Sequence, residues 1–154
     1  MAFKFRAAAA LDLRRKQEDA ARLEVAKAEM AAIAAGERSR EAKARVGDEG
    51  HRLTDIVAGG AEAWRVQWHR AWLEKQRHEA DDRAKELAAR TAEASKAAQV
   101  AREAMKKRRV LERLRDRAWH RHQQAEHAQH VKDMNELATL RFVAQIAEEG
   151  AHAD

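Results

Sequence analysis

Apolar and small residues recur along most of this chain at alternating intervals of three and four. Two such sets lie in the first 60 residues: Leu23, Ala26, Met30 and Ile33, then Val46, Gly50, Leu53 and Val57. The longest set is Ala80, Ala84, Leu87, Thr91, Ala94, Ala98, Ala101 and Met105, with Leu111, Leu114 and Ala118 following after a phase slip. This spacing is typical of left-handed coiled coils. The pattern therefore predicts two long helices whose contact seam is formed by these residues.

The strongest break in the pattern is the pair Gly59-Gly60, because two adjacent glycines disfavour a helix interior. We expect helix one over about 4–57, a turn over about 58–62 and helix two over about 62–148. The predicted fold is all-α, an antiparallel two-helix coiled-coil hairpin that forms a single domain over residues 1–154. Because the second helix is the longer, its C-terminal part should extend beyond helix one.

Composition supports this prediction. The 154 residues include no proline, which breaks helix interiors, and 37% of them are charged. Acid-then-base pairs at i,i+4, such as Glu41/Arg45 and Glu79/Arg83, stabilise solvated helix faces. Much of the apolar fraction is alanine, which buries little area, so we expect a marginal coiled coil.

Charge and residue types exclude several classes of protein. The chain has no cysteine, so a disulfide framework or cysteine metal site is excluded. It has no apolar run of about 18 residues, so no membrane span is predicted. The net charge of +5 is compatible with an acidic partner without selecting one. We expect a cytoplasmic protein.

Three tryptophans, Trp64, Trp68 and Trp72, recur every four residues just after the predicted turn. One interpretation is that they pack against helix one near Leu53 and hold the hairpin together. The alternative is that at least one is exposed and contacts a partner, since tryptophan is enriched at binding hot spots. Three large rings exceed what a two-stranded coil can cover, which favours the second interpretation.

Other chemistry is sparse. His122, Glu126 and His130 share one helix face, but no further ligand cluster accompanies them, so no metal or other cofactor is predicted. The basic run 106–109 is diluted by acids and apolar residues, which disfavours nucleic-acid binding. No phosphate-binding glycine loop or nucleophile motif occurs, so we expect no catalytic site.

Three segments of the chain carry a resemblance to a known family: residues 3–23, which begin Phe3-Lys-Phe5-Arg6, residues 107–114 and residues 135–142. In this order they resemble the FliJ family of flagellar type III export proteins. The first is similar to its opening pattern F-x-F-x-L-x-x-L-L-x-L-R-x-x-x-E-x-x-A, the second to its K-x-L-E-x-L segment and the third to its D-E-x-A-x-x-R stretch. The central glycine-rich turn and the absence of cysteine also match.

The resemblance implies an antiparallel coiled coil that acts like the central stalk of a rotary ATPase. Its paired termini would enter the pore of a hexameric export ATPase, through Phe3, Phe5, Leu11, Leu13, Leu140 and Phe142. The half near the hairpin turn would contact the export-gate membrane protein, through Trp64, Trp68, Trp72 and Leu73. Escort of export chaperones is also implied, with the protein held peripherally at the inner face of the cytoplasmic membrane through the export apparatus.

Two other functions are compatible with the residues alone. One is a generic coiled-coil scaffold that forms homo-oligomers, and the other is a basic helical protein that binds nucleic acid. Concentration-dependent dimerisation would favour the scaffold, and steeply salt-dependent affinity for DNA or RNA would favour the second.

Overall fold

The computed structural model describes residues 3–151, with side chains over residues 3–146. Two helices make up the fold: α1 spans Ala8–Ala58 with 51 residues, and α2 spans Ala63–Ala151 with 89. The helices pack against each other as a hairpin, which confirms the predicted all-α fold with a longer second helix. The predicted helix ends differ from the observed ones by at most four residues.

The turn between the helices is built on Gly60. Its φ of 72° lies in the left-handed region, where an L side chain is strained. The Gly60 N–H donates to the carbonyl of Val57 at 3.1 Å, and the Ala61 N–H donates to that of Ile56 at 3.2 Å. These two bonds form a Schellman motif, which ends α1. Of the two glycines that predicted the turn, Gly60 is the one whose conformation requires glycine, and it lies at the position after the helix cap.

The contacts of the chain group into two compact units. The hairpin unit spans residues 15–106 and holds the turn with the helix segments on either side of it. The terminal unit combines, among its described residues, 3–14 with 107–151.

The hairpin unit has one contact seam, in which buried and half-buried residues recur at intervals of three and four, except for a step of seven from Leu87 to Ala94. On α1 this inner seam comprises Glu18, Ala21, Val25, Ala28, Ala32, Ala35, Ser39, Ala42, Val46, Glu49, Leu53 and Ile56. On α2 it comprises Val66, His69, Leu73, Gln76, Ala80, Arg83, Leu87, Ala94, Ala97, Ala101 and Ala104. The most buried residues of this seam are Ala42, Ala35 and Ser39, at 0%, 1% and 1% exposed.

The predicted seam residues of the first helix are therefore wrong between 23 and 33. Leu23, Met30 and Ile33 are 57%, 71% and 62% exposed. Each lies two residues before an inner-seam position, a rotation of about 200° around the helix. The inner seam keeps one phase from Glu18 to Ile56, whereas the predicted set ends after Ile33. Continuous phase over the whole contact decides which face is buried, even though its side chains are smaller.

Two further details of the predicted seam are corrected. Val57, Thr91 and Leu114 are exposed rather than in the seam. The phase slip before Leu111 does not exist, because Leu111 and Ala118 continue the seven-residue spacing of Ala97 and Ala104. The apparent slip arose because the predicted set includes Ala84, Ala98 and Met105, each of which lies one residue after a seam position.

In the terminal unit, Leu11 is buried at 3% exposed. The Phe3 ring lies edge-on to Trp119, with centroids 5.2 Å apart, and 5.6 Å from the ring of His122. Beyond His122, every side chain of α2 from 123 to 146 is exposed. This confirms that the C-terminal part of helix two extends beyond its contacts with helix one.

Candidate functional site

A tryptophan surface, formed by Trp64, Trp68 and Trp72, lies in the first three turns of α2. The three side chains are 65%, 58% and 38% exposed. The rings of Trp68 and Trp72 stack nearly parallel, at an interplanar angle of 7° and a centroid distance of 6.2 Å. The structure thus confirms that these rings are exposed, and their contact with a partner stays a prediction.

The neighbours of these rings limit their motion while leaving their faces accessible. The ammonium of Lys75 lies 5.2 Å from the centroid of Trp72, within the range of a cation–π interaction. The indole N–H of Trp64 donates to the carboxylate of Glu62, the residue before α2. Rings held in place in this way lose less entropy when a partner binds, which favours a contact surface.

Leu73, which the resemblance grouped with the tryptophans, has a different environment. It is 6% exposed and belongs to the inner seam. It supports α2 beneath the tryptophan surface and offers no surface of its own.

A buried polar pair lies beside Leu73 in the same seam. The Glu49 carboxylate accepts a hydrogen bond of 2.5 Å from Nδ1 of His69, and the two residues are 4% and 8% exposed. The second carboxylate oxygen lies 3.6 Å from the Arg52 guanidinium. The His69 ring also lies edge-on to Trp68, at 4.8 Å. This pair therefore links α1 to the base of the tryptophan surface.

Sequence reasoning missed this pair. Glu49 and His69 occupy seam positions that usually hold apolar residues, and the pattern search passed over them for that reason. The spacing of the inner seam could have predicted the pair, because it places both residues inside the hairpin, at nearly equal distances along the chain from Gly60.

Two ion pairs between α1 and α2 lie along one edge of the inner seam. Arg38 donates to Glu86 at 2.8 Å, and Arg45 donates to Glu79 at 3.0 Å, one heptad closer to the turn. A hydrogen bond from Arg83, and then the charges of Arg38 and Arg90, hold the pKa of Glu86 below its ordinary 4.5, although desolvation opposes them. These pairs support an antiparallel register.

One heptad closer to the turn than Arg45, α1 carries Arg52, and one heptad before Glu79, α2 carries Trp72. An aromatic ring thus replaces the acid at this position, and Arg52 lies near Glu49 instead. The tryptophan surface begins where the charged border of the seam ends.

The residues assigned to the ATPase end are placed unequally in the terminal unit. Leu11 is buried, and Phe3 and Phe5 are half-buried. Leu13, Leu140 and Phe142 are 55%, 66% and 64% exposed. Trp119, which packs on Phe3, was not predicted as a contact from the sequence. Its separation from the turn along the chain is nearly the same as that of the N-terminal phenylalanines, so an antiparallel hairpin places it opposite them.

The end of α2 carries a second exposed apolar surface, here called the tail surface. Large apolar residues recur there every three positions: Val131, Met134, Leu137, Leu140, Val143 and Ile146. Each is between 43% and 66% exposed. Three residues of an α-helix rotate by about 300°, which is about 60° short of a full turn. Each apolar residue is therefore displaced by about 60° from the previous one, and five such steps carry the apolar surface almost completely around the helix. A single helix laid alongside could not cover such a surface.

Several cations in and just after the basic run 106–109 pair with neighbouring acids. Lys106 pairs with Glu103 at 2.7 Å, Arg115 pairs with Asp116 at 3.0 Å, and Arg108 contacts Glu112. These contacts leave a mixed-charge face rather than a continuous basic strip, which disfavours nucleic acid as a partner.

The described part of the chain contains no candidate metal site and no helix that could span a membrane. Nε2 of His122 lies 3.4 Å from Glu126, but no group of three or more histidine, aspartate or glutamate side chains there could hold a metal ion. Neither helix contains, over its described residues, an apolar stretch long enough to cross a bilayer.

Comparison with known proteins gives no relative: no protein-family model, no curated protein and no solved structure matches this chain.

Proposed function

We propose that this protein is a non-enzymatic adaptor of the flagellar type III export apparatus, with a stalk-like role toward a hexameric export ATPase. The observation that carries the proposal is the tail surface. Its apolar residues wind around α2, and all its side chains from 123 to 146 are exposed. An enclosing partner, such as the pore of a ring, covers a surface of this kind, whereas a flat or grooved partner covers only one side of it.

The tryptophan surface supplies the second contact of the proposal. Tryptophan is one of the residue types enriched among the few residues that carry most of the binding energy of a protein interface, and here two exposed tryptophans are stacked. They lie in the hairpin unit, and the tail surface lies in the terminal unit, so the two contacts use separate parts of the chain. We assign the tryptophan surface to the export-gate protein and the tail surface to the ATPase, and delivery of chaperone-bound substrates follows from holding both partners.

ATPase stimulation tests the first assignment. Purified chain should raise the hydrolysis rate of the purified export ATPase. The double substitution Leu140→Asp, Phe142→Asp should abolish the increase, because it places one carboxylate in the tail surface and a second one beside it, at the exposed Phe142. The matched control is Val57→Asp, Val100→Asp, which alters two exposed valines of the hairpin unit. Equal stimulation by both double variants would contradict the assignment.

Binding to the cytoplasmic domain of the gate protein tests the second. Trp68→Ala should weaken binding at least about tenfold, the loss expected of a hot-spot aromatic. Trp119→Ala removes an equally large, partly exposed ring from the terminal unit and should leave gate binding unchanged. Unaltered affinity after Trp68→Ala would remove the gate from the proposal.

A further inference from the structure

The outer face of α1 carries an unpartnered apolar stripe, formed by Leu23, Ala26, Met30 and Ile33. We call it the outer stripe. Its members have the three-four-three spacing of a coiled-coil seam, yet all four are exposed, Met30 at 71%. The inner seam of the same helix segment, Val25 to Ala35, faces α2. One helix thus carries two coiled-coil stripes on nearly opposite faces, and only one of them is filled.

The outer stripe has sharp ends. At the positions that would continue its spacing, Lys16 and Asp19 precede it, and Glu37 and Arg40 follow it. It therefore spans two heptads, about 15 Å from Leu23 to Ile33 at the rise of an α-helix. A contact of this length buries far less than the roughly 1,200 Å² of a stable interface, so its occupant binds transiently.

An apolar groove adjoins the stripe at Leu23. Ala20, Ala97 and Val100 line it together with Leu23, and its volume is about 410 Å³. Val100 is 62% exposed on α2, so both helices contribute to this surface. The groove widens the N-terminal end of the outer stripe enough to accept a bulky side chain from a docked helix.

The charges flanking the stripe disfavour a second copy of this chain. Pairing two outer stripes antiparallel places Lys27 against Lys27 and Glu29 against Glu29, and pairing them parallel places Arg22 against Lys27. Like charges at these flanking positions destabilise a coiled coil. A partner helix with acidic flanks would face two cations, Arg22 and Lys27, and only one acid, Glu29. The net charge of these flanking positions therefore favours an acidic partner.

We propose that the outer stripe docks an amphipathic helix of another protein, with apolar residues at coiled-coil spacing over two heptads and acidic residues on both flanks. The side chains of Arg22 and Lys27 are 64% and 62% exposed while paired with Glu18 and Glu24, so both cations remain accessible to such flanks. This interaction is independent of the ATPase and gate contacts, because it uses neither the tryptophan surface nor the tail surface.

The test is a titration of the full chain, carrying 13C-methyl methionine, with two designed helical peptides of three heptads. Both have leucine at a and d; one has glutamate at every e and g position and the other has lysine, so neither self-associates through its flanks. The Met30 methyl signal should shift saturably with the acidic peptide, and the basic peptide should bind about threefold more weakly, the difference expected from three exposed charge contacts. Met105, half-buried in the hairpin unit, and Met134 on the tail surface are internal controls that should not shift.

A pair of matched variants completes the test. Ile33→Glu should abolish the Met30 shift, whereas Val57→Glu, which alters another exposed aliphatic of α1 outside the stripe, should leave it unchanged. The proposal is overturned if Met30 does not respond to the acidic peptide, if Ile33→Glu binds as well as the unsubstituted chain, or if both peptides bind equally. A Met30 shift that grows with the concentration of the chain alone would show that the occupant is a second copy, which also overturns it.

Discussion

The two stripes of α1 show that the more hydrophobic face of a helix is not always the buried one. Over residues 21–35 the inner seam contains four alanines and Val25, while the outer stripe of the same segment contains Leu23, Met30 and Ile33. Alanine allows close helix approach, and a Cβ added at Gly36 would be in ordinary van der Waals contact with Leu87 Cδ1, at 3.8 Å. The inner seam runs in phase along the whole hairpin unit, and its summed contacts exceed what a two-heptad stripe can provide.

The largest test of this comparison places the same carboxylate on each face. Ala42 is 0% exposed, so Ala42→Asp buries an unpaired charge, and we expect it to lower the free energy of unfolding by more than about 3 kcal/mol. Ala26→Asp on the outer stripe should cost only its helix propensity, about 0.5 kcal/mol. Urea unfolding followed by circular dichroism at 222 nm measures both. Similar losses would mean that the two faces are not distinguished in solution.

The polar pair of the inner seam is the next test. Glu49→Ala leaves the ring nitrogen of His69 without its partner in a nearly buried site, so we expect a loss of about 2 kcal/mol. Glu24→Ala removes an exposed partner of Lys27 and should cost less than about 0.5 kcal/mol.

The double variant Glu49→Leu, His69→Leu separates pairing from packing. Since apolar replacement of a buried polar pair is often neutral, it should recover most of the loss of Glu49→Ala. If the double variant is as unstable as the single one, the site requires the carboxylate for a reason other than His69.

Alanine substitution of two glycines of α1 and its turn should change the free energy of unfolding by an intermediate amount. Gly60→Ala forces a side chain into the left-handed region, and we expect a loss of about 1 kcal/mol. Gly47 lies on the exposed side of α1 with nothing near its Cβ position, so Gly47→Ala should gain about 0.5–1 kcal/mol. Thermal unfolding midpoints should therefore move in opposite directions, and a shared direction would contradict the Schellman turn at Gly60.

The smallest effect is expected from the charged border of the seam. The pKa of Glu86 is lower in the folded chain than its ordinary 4.5, so its contribution to stability is present above pH 4.5 and is lost as the pH falls through the folded value. Glu86→Gln should consequently reduce the decline of the urea midpoint below pH 4.5. Because the pairs with Arg38 and Arg83 are partly exposed, 1 M salt should shrink this difference. An unchanged acid profile in Glu86→Gln would show that these arginines do not act on it in solution.

Local physical chemistry made several features predictable. The absence of proline and the abundance of helix formers predict two long helices, and Gly59-Gly60 predicts the turn, because each effect depends on a residue and its near neighbours. The exposure of Trp68 followed from ring size, which exceeds what a two-stranded coil can cover. The extension of α2 followed from the unequal lengths on either side of the glycines.

The packing of α1 on α2 decided the rest. Leu23 and Met30 fit a seam as well as Val25 and Ala28 do, and local spacing cannot choose between two stripes on one helix. The choice depends on which phase persists to the turn and meets a matching phase on α2, which is a property of the whole pair of helices. The same packing buried Leu11 and Leu73, brought Glu49 to His69, and placed Trp119 against Phe3, since each of these contacts joins residues far apart in the chain.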